Sequence, residues 1–216
     1  MMLRFRPDFP ANGTVLCLGA HCDDIEIGCG GSLVELRRSH PNLRFFWVVF
    51  SGDAVREAET RAAAAELLDT PAHCTVEVHR FRASYFPHVG AEIKDAFESV
   101  RKRVEPDLVM THFLGDRHQD HRVVAELTWN TFRDHAILEY EIPKYEGDLG
   151  HPGVYFPLPP AAVDRKVGTL LKCFASQRDR QWFDADLFRG HLRLRGVECN
   201  SPSRYAEAFH ARKLLV

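Results

Sequence analysis

An α/β domain with a Rossmann-like, doubly wound and mainly parallel sheet, helices on both faces, is the fold class this sequence predicts. Three observations predict it. Short apolar runs recur along the chain, stretches with helical spacing of apolar residues separate them, and ionisable residues gather just after two of the runs. Strands alternating with helices specify parallel pairing, and right-handed crossovers leave few topologies to choose among. With 216 residues and a hydrophobic fraction of 45%, the chain suits one packed domain, residues 1–216, rather than two.

The elements follow in order. TVLCLGAH (14–21) is an apolar run ending in ionisable groups, and a glycine-punctuated turn leads from it into SLVELRRSH, which has helical spacing. LRFFWVVF (43–50) reads as a buried strand, and REAETRAAAAELLD, rich in Ala, Glu and Leu, as a helix. TVEVHRF (75–81) alternates as a third strand, AEIKDAFESVRKRVEP is a helix stopped by Pro106, and PDLVMTH (106–112) is the fourth strand. A helix is expected at about 121–134, and EYEIPKYEGDLGHPGVYFPLPP reads as irregular with one or two short strands. AVDRKVGTLLKCFASQ (162–177) returns to helical periodicity, and PSRYAEAFHARKLLV opens as a helix start and closes as a strand.

Composition excludes several function classes. Lys plus Arg number 28 against 30 for Asp plus Glu, a formal charge of -2, so no basic field is available to hold a nucleic-acid backbone and no nucleic-acid partner is expected. No stretch approaches the ~20 apolar residues of a membrane span, and MMLRFRPDFPANG has no apolar core of a signal peptide. A cytoplasmic location is therefore expected. The six cysteines form no CxxC pair and read as free thiols of a reducing compartment.

Two segments carry the chemistry. AHCDDIEIGCGG places His21, Asp23, Asp24 and Glu26 just after the first strand, and THFLGDRHQDHR places His112, Asp116, His118, Asp120 and His121 just after the fourth. Open α/β sheets bind ligands beyond the carboxyl ends of strands where strand order reverses, and a 3-2-1-4-5 order makes strands one and four neighbours there. Histidine and aspartate suit zinc, whose catalytic sites combine three protein ligands with an open position, and the surplus groups are available for proton transfer and orientation. Either segment alone has a bland reading, since Asp after a strand commonly caps the next helix. Their expected convergence favours a metal site. GCGG lacks GxGxxG spacing, so close packing of helix on strand accounts for Gly28, Gly30 and Gly31 better than a dinucleotide site. Two rival classes stand beside a metal hydrolase: a metal-dependent phosphoesterase, which needs more carboxylates and cations, and a non-catalytic sugar- or nucleotide-binding module.

These segments resemble the PIG-L or LmbE-like N-deacetylases, whose first motif is HPDD-like and whose second is HPDH-like. VREAETRAAAAELL is similar to the family's R..E..A helix, RKVGTLLKCFASQ to its K....L....SQ helix, and RGVECNSPSRYAEAF to its closing RG...YAEAF segment, so the resemblance runs from about residue 14 to 210. It implies a zinc-dependent hydrolase, one Zn2+ per chain, that removes an acetyl group from an N-acylated amino sugar, sugar nucleotide or glycoside. A homo-oligomer stays open. Position by position, the resemblance implies His21, Asp24 and His121 as metal ligands and Asp23 as general base on the attacking water. It further implies His118 as the group that stabilises the oxyanion or assists the leaving amine, Asp120 as the carboxylate orienting His118, and Arg56 as a substrate contact, with Arg61 close in register. Cys22 and Gln119 stand where the family has prolines.

Overall fold

A computed structural model describes residues 7–69 and 73–214. The chain runs β1 (Thr14–His21), α1 (Asp24–Ser39), β2 (Arg44–Ser51), α2 (Ala54–Leu68), β3 (Cys74–Val78), α3 (Gly90–Arg103), β4 (Leu108–His112) and α4 (Gln119–Thr131). It continues with β5 (Ala136–Tyr140), β6 (Val154–Pro157), α5 (Pro160–Cys173), α6 (Ala185–Glu198) and β7 (Ala206–His210). The sheet order is β3-β2-β1-β4-β5-β7-β6, parallel through β5, with β7 antiparallel to both β5 and β6. The expected doubly wound sheet with strands one and four adjacent is the observed one. No helix among the described residues is long and apolar enough to cross a membrane.

β1 occupies the interior of the sheet, and its period-two alternation feeds both cores. Val15 and Cys17 pack with Leu33, Leu67 and Leu170 on one side, while Leu16, Leu18 and Ala20 pack with Phe97 and Val124 on the other. Burial on both faces is why the first strand reads as a continuous apolar run.

Three expectations are corrected. The glycines Gly28, Gly30 and Gly31 lie inside α1 rather than in a turn before it. A Cβ on Gly28 would sit 2.1 Å from the Tyr140 ring and one on Gly31 2.5 Å from Leu158, so close packing explains these two, whereas one on Gly30 would come no nearer than 3.4 Å, to Leu67. α6 falls in a stretch for which no helix is expected. Its two interior glycines lower its propensity, and the Asp184 cap on the Leu187 N–H is its clearest local signal. PSRYAEAFHARKLLV contains the strand β7 at its middle and no helix start; Leu215 and Val216 at its end, like Met1–Arg6, lie outside the described residues.

A buried ion pair fixes α1 from the far end of the chain. Lys166 on α5 donates to Ile27 O at 2.5 Å and to Glu207 Oε1 at 2.6 Å, and Glu207 on β7 accepts Gly31 N at 2.8 Å and Ser32 N at 2.6 Å. Ile27 and Gly31 are the two ends of one helical hydrogen-bond step, so side chains from two later elements grip α1 where its glycines leave the backbone accessible. Glu141, just past β5, is a second buried anchor: it pairs with Arg195 at 2.7 Å and accepts Gly150 N at 2.7 Å, closing the irregular segment between β5 and β6.

Lys166→Met leaves Glu207 buried without its cation and is expected to cost about 3–5 kcal/mol in urea unfolding; a loss under ~1 kcal/mol would show that the pair does not brace α1. Glu141 gives a pH test. Burial opposes its charge, yet His191, His210 and Arg195 hold the carboxyl well below the usual range. Its stabilisation is therefore complete above the unfolded value of ~4.3 and is lost as pH falls through the lower folded value. The stability gap between the parent and Glu141→Gln is expected to be widest above about pH 5 and to narrow on acidification. A gap that stays constant as the solution is acidified would contradict the assignment.

Candidate active site

The two segments meet because β1 and β4 are hydrogen-bonded neighbours, Cys17 opposite Met110. His21 ends β1, Asp24 opens α1, His112 ends β4, and Asp120 and His121 fall in the first turn of α4. Asp23 joins β1 to α1 with φ 113°, a left-handed conformation that a non-glycine residue adopts at a cost of ~1–3 kcal/mol. Its side chain makes no capping hydrogen bond, so the bland reading of an Asp after a strand does not apply to it.

His21, Asp24 and His121 bring three donor atoms together. His21 Nδ1 lies 3.5 Å from Asp24 Oδ2, His121 Nε2 lies 3.6 Å from Asp24 Oδ1, and the two ring nitrogens are 3.3 Å apart. Asp24 faces His21 with Oδ2 and His121 with Oδ1, so one of the two oxygens would serve an ion. The 3.3 Å between the ring nitrogens matches one edge of a tetrahedron with zinc bonds of ~2.0–2.1 Å, about 3.3–3.4 Å, and two imidazoles with a carboxylate suit zinc in chemistry. Two further His/Asp groupings occur among the described residues, His21–His118–Asp120 and His112–Asp116–His121. In these, Asp120 already accepts Ser84 N and Phe86 N, and His112 already takes Ala20 N at 2.9 Å. Neither His112, Asp116 nor Asp120 lines the cleft.

These groups instead orient the triangle. Asp120 Oδ2 sits 3.0 Å from His21 Nε2, and Asp116 Oδ2 sits 2.9 Å from His121 Nδ1, so each histidine has a carboxylate on the nitrogen that faces away from Asp24. Burial opposes charge on His21, but hydrogen bonds to Asp120 and Asp24 raise it to about 10. Burial pushes His121 down to about 3, with repulsion from His112 adding to it. Lys144 in turn donates to Asp116 at 2.8 Å and to Asp148 at 2.7 Å, tying the segment after β5 to the second motif. The roles of Asp116 and Lys144 had no signal in spacing alone.

The Asp120 carboxylate, expected beside His118, lies instead against His21. The α4 turn presents only the Asp120 backbone N–H to His118 Nδ1, at 3.2 Å, while the Asp120 carboxylate reaches across to β1. With Nδ1 accepting that bond, neutral His118 keeps its proton on Nε2, and its ring lines the cleft. Cys22, also in the cleft wall, directs its thiol to Ser51 O at 3.7 Å and belongs to none of the His/Asp groupings.

Asp23 and Arg56 line the same cleft, whose volume is about 830 Å3. Arg56 Nη2 pairs with Asp23 Oδ2 at 3.0 Å, so the arginine expected to touch substrate is engaged with the expected base. Burial pushes Asp23 up to about 7 although Arg56 pulls the other way. Glu26, fully buried behind them, has no hydrogen-bond partner on either oxygen among the described residues, and burial pushes it well above the carboxylate range. The outer wall carries Lys144, Tyr145, Gln177, Arg180 and Trp182.

Comparison with known proteins agrees with this architecture. Residues 16–132 match the PIG-L family, described as GlcNAc-PI de-N-acetylase. The uncharacterized deacetylase YaiS of Escherichia coli (strain K12) is 32% identical over 143 residues, covering 60% of this chain and 74% of that protein. The N,N'-diacetylchitobiose deacetylase of Pyrococcus horikoshii superposes with a TM-score of 0.73 at 20% identity, over 92% of this chain and 83% of its own. GalB, the 4-carboxy-2-hydroxymuconate hydratase of Pseudomonas putida KT2440, does so with a TM-score of 0.76 at 17% identity, over 94% and 98%. At these identities the two structures establish the fold alone. The family match spans both chemical motifs and more than half of the chain, and the chain belongs to the PIG-L (GlcNAc-PI de-N-acetylase) family.

Proposed function

We propose that this protein is a zinc-dependent N-deacetylase that hydrolyses the acetamide of an N-acetylated amino sugar, sugar nucleotide or glycoside to acetate and the free amine. The observation that carries the reading is a buried carboxyl, Asp23, held by Arg56 at 3.0 Å in the same cleft as the converging side chains of His21, Asp24 and His121. His21, Asp24 and His121 would hold the metal. A bound zinc supplies Lewis acidity toward the amide carbonyl and makes water a stronger acid. Asp23, paired with Arg56, takes a proton from the water that attacks the carbonyl carbon. His118, which lines the cleft and keeps its proton on Nε2, would be the donor for the oxyanion or for the departing nitrogen.

The family name and the name of the Escherichia coli relative support amide hydrolysis. The hydratase on the same fold is why the fold alone does not carry the argument. A cleft of about 830 Å3 walled by arginine, lysine and aromatic side chains suits a polar, ring-shaped substrate. The free thiols of all six cysteines fit work in the cytoplasm.

Acetate release from a panel of N-acetylated sugars, sugar nucleotides and glycosides tests the activity. Asp23→Asn is expected to keep one zinc per chain while hydrolysis falls about 10²–10⁴-fold, because the amide cannot accept the proton. His21→Ala is expected to lose the metal. Near-parental turnover by Asp23→Asn would remove it as the base. Asp120→Asn is expected to weaken zinc binding about 10–100-fold in a chelator competition, since it supports His21. Unchanged zinc affinity with a displaced alkaline pH limb would return Asp120 to the role of His118's partner.

A further inference from the structure

We propose that Glu59 and Ser176 are positioning residues that hold Arg56 against Asp23, so that Arg56 orients the base. The inference rests on the assignment of Asp23 as the base.

Arg56 is gripped from three elements. Nη2 reaches Asp23 Oδ2 at 3.0 Å at the entry to α1, while Nη1 donates to Ser176 Oγ at 3.0 Å and lies 3.4 Å from Glu59 Oε2. The guanidinium also lies over the Phe174 ring, 5.5 Å from its centroid. The Arg56 side chain is only 16% exposed. Both terminal nitrogens are therefore engaged within the protein, which fixes the plane of the guanidinium beside Asp23.

Glu59 and Ser176 form a closed unit. Glu59, 8% exposed, accepts the Ser176 N–H on Oε1 at 2.8 Å and the Ser176 hydroxyl on Oε2 at 2.7 Å. The hydroxyl proton is thus spent on Glu59, and the Ser176 oxygen faces Arg56 as an acceptor. Glu59 is one helical turn from Arg56 on α2, and Ser176 lies in the short turn after α5, so the unit ties α2 to the wall that carries Gln177 and Arg180. The arrangement also accounts for two sequence patterns that the proposed reaction leaves unexplained: the R..E..A pattern supplies Arg56 and Glu59, and the SQ pattern supplies Ser176. A bolt between α2 and α5 would need neither the contact to Arg56 nor the continuation to Asp23.

The test uses the zinc-loaded full chain with Ser176→Ala, and Glu59→Gln as the near-isosteric second variant. Nitrogen-15 NMR of arginine-labelled protein reads the grip directly. The two Nη resonances of Arg56 are expected to be separate in the parent, because rotation about Nε–Cζ is blocked from both sides, and to merge in either variant. With N,N'-diacetylchitobiose as probe, kcat is expected to fall about 10–100-fold while KM moves by less than ~3-fold. Zinc stoichiometry is expected to be unchanged. Combining Ser176→Ala with Arg56→Lys is expected to lose no more than Arg56→Lys alone, since both break one unit. Resonances that stay separate in both variants, a raised KM at constant kcat, or losses that multiply in the double variant would overturn the proposal. A parent chain that releases no acetate from any sugar tested would instead overturn the deacetylase reading, and the NMR result would still decide whether Glu59 and Ser176 hold Arg56.

Discussion

The adjacency of β1 and β4 is the constraint from which the site follows. Each strand ends in a histidine, each is followed by a helix whose first turn carries an aspartate, and parallel pairing points both ends the same way. Residues about a hundred positions apart, such as His21 and His121, then lie within 3.3 Å without any long loop. A different crossover would have left two unremarkable clusters on separate edges.

That convergence places many ionisable groups in a poorly solvated space, where an unpaired charge is costly. The protein meets the cost by surrounding its buried carboxylates with imidazole, ammonium or backbone N–H groups. Asp24 illustrates it: burial disfavours its charge, but His121 and His112 hold it well below the usual range. Asp116 is held down in the same sense, against burial, by His121 and Lys144. Glu26, without a hydrogen-bond partner among the described residues, and Asp23 depart from this pattern. For Asp23, one arginine opposes its burial incompletely, so burial holds the carboxyl above the usual range.

Much of this was legible in the residues. Strands buried on both faces announce themselves as apolar runs, and the carboxyl ends of such strands are where ligand-binding groups collect, so the fold and the two clusters follow from periodicity and position. The family resemblance marked His21, Asp24 and His121, and the structure brings those three together. Side-chain partners were less accessible to that reading. Asp120 is two residues from His118, yet its carboxylate turns to His21, because direction within a helical turn is set by rotamer and packing rather than by spacing. Arg56 faced the same difficulty, since its partners Asp23 and Ser176 come from separate elements. α6 escaped notice because glycines interrupt its pattern and tertiary packing of Phe188 and Leu192 stabilises it.

The grip of Lys166 and Glu207 on α1 bears on how the chain becomes functional during synthesis. A ribosome releases the first motif early, and domains fold as units once their partners have emerged. All three donor residues lie at or before position 121, within the 16–132 stretch shared with the family, while the side chains that clasp the helix carrying Asp24 arrive at positions 166 and 207. A nascent or truncated chain ending near residue 132 would thus hold the full set of donors and lack the clasp that keeps one of them in place. Full bracing of the helix that carries Asp24 thus waits on residues 166 and 207, although the three donors have all been made by position 121.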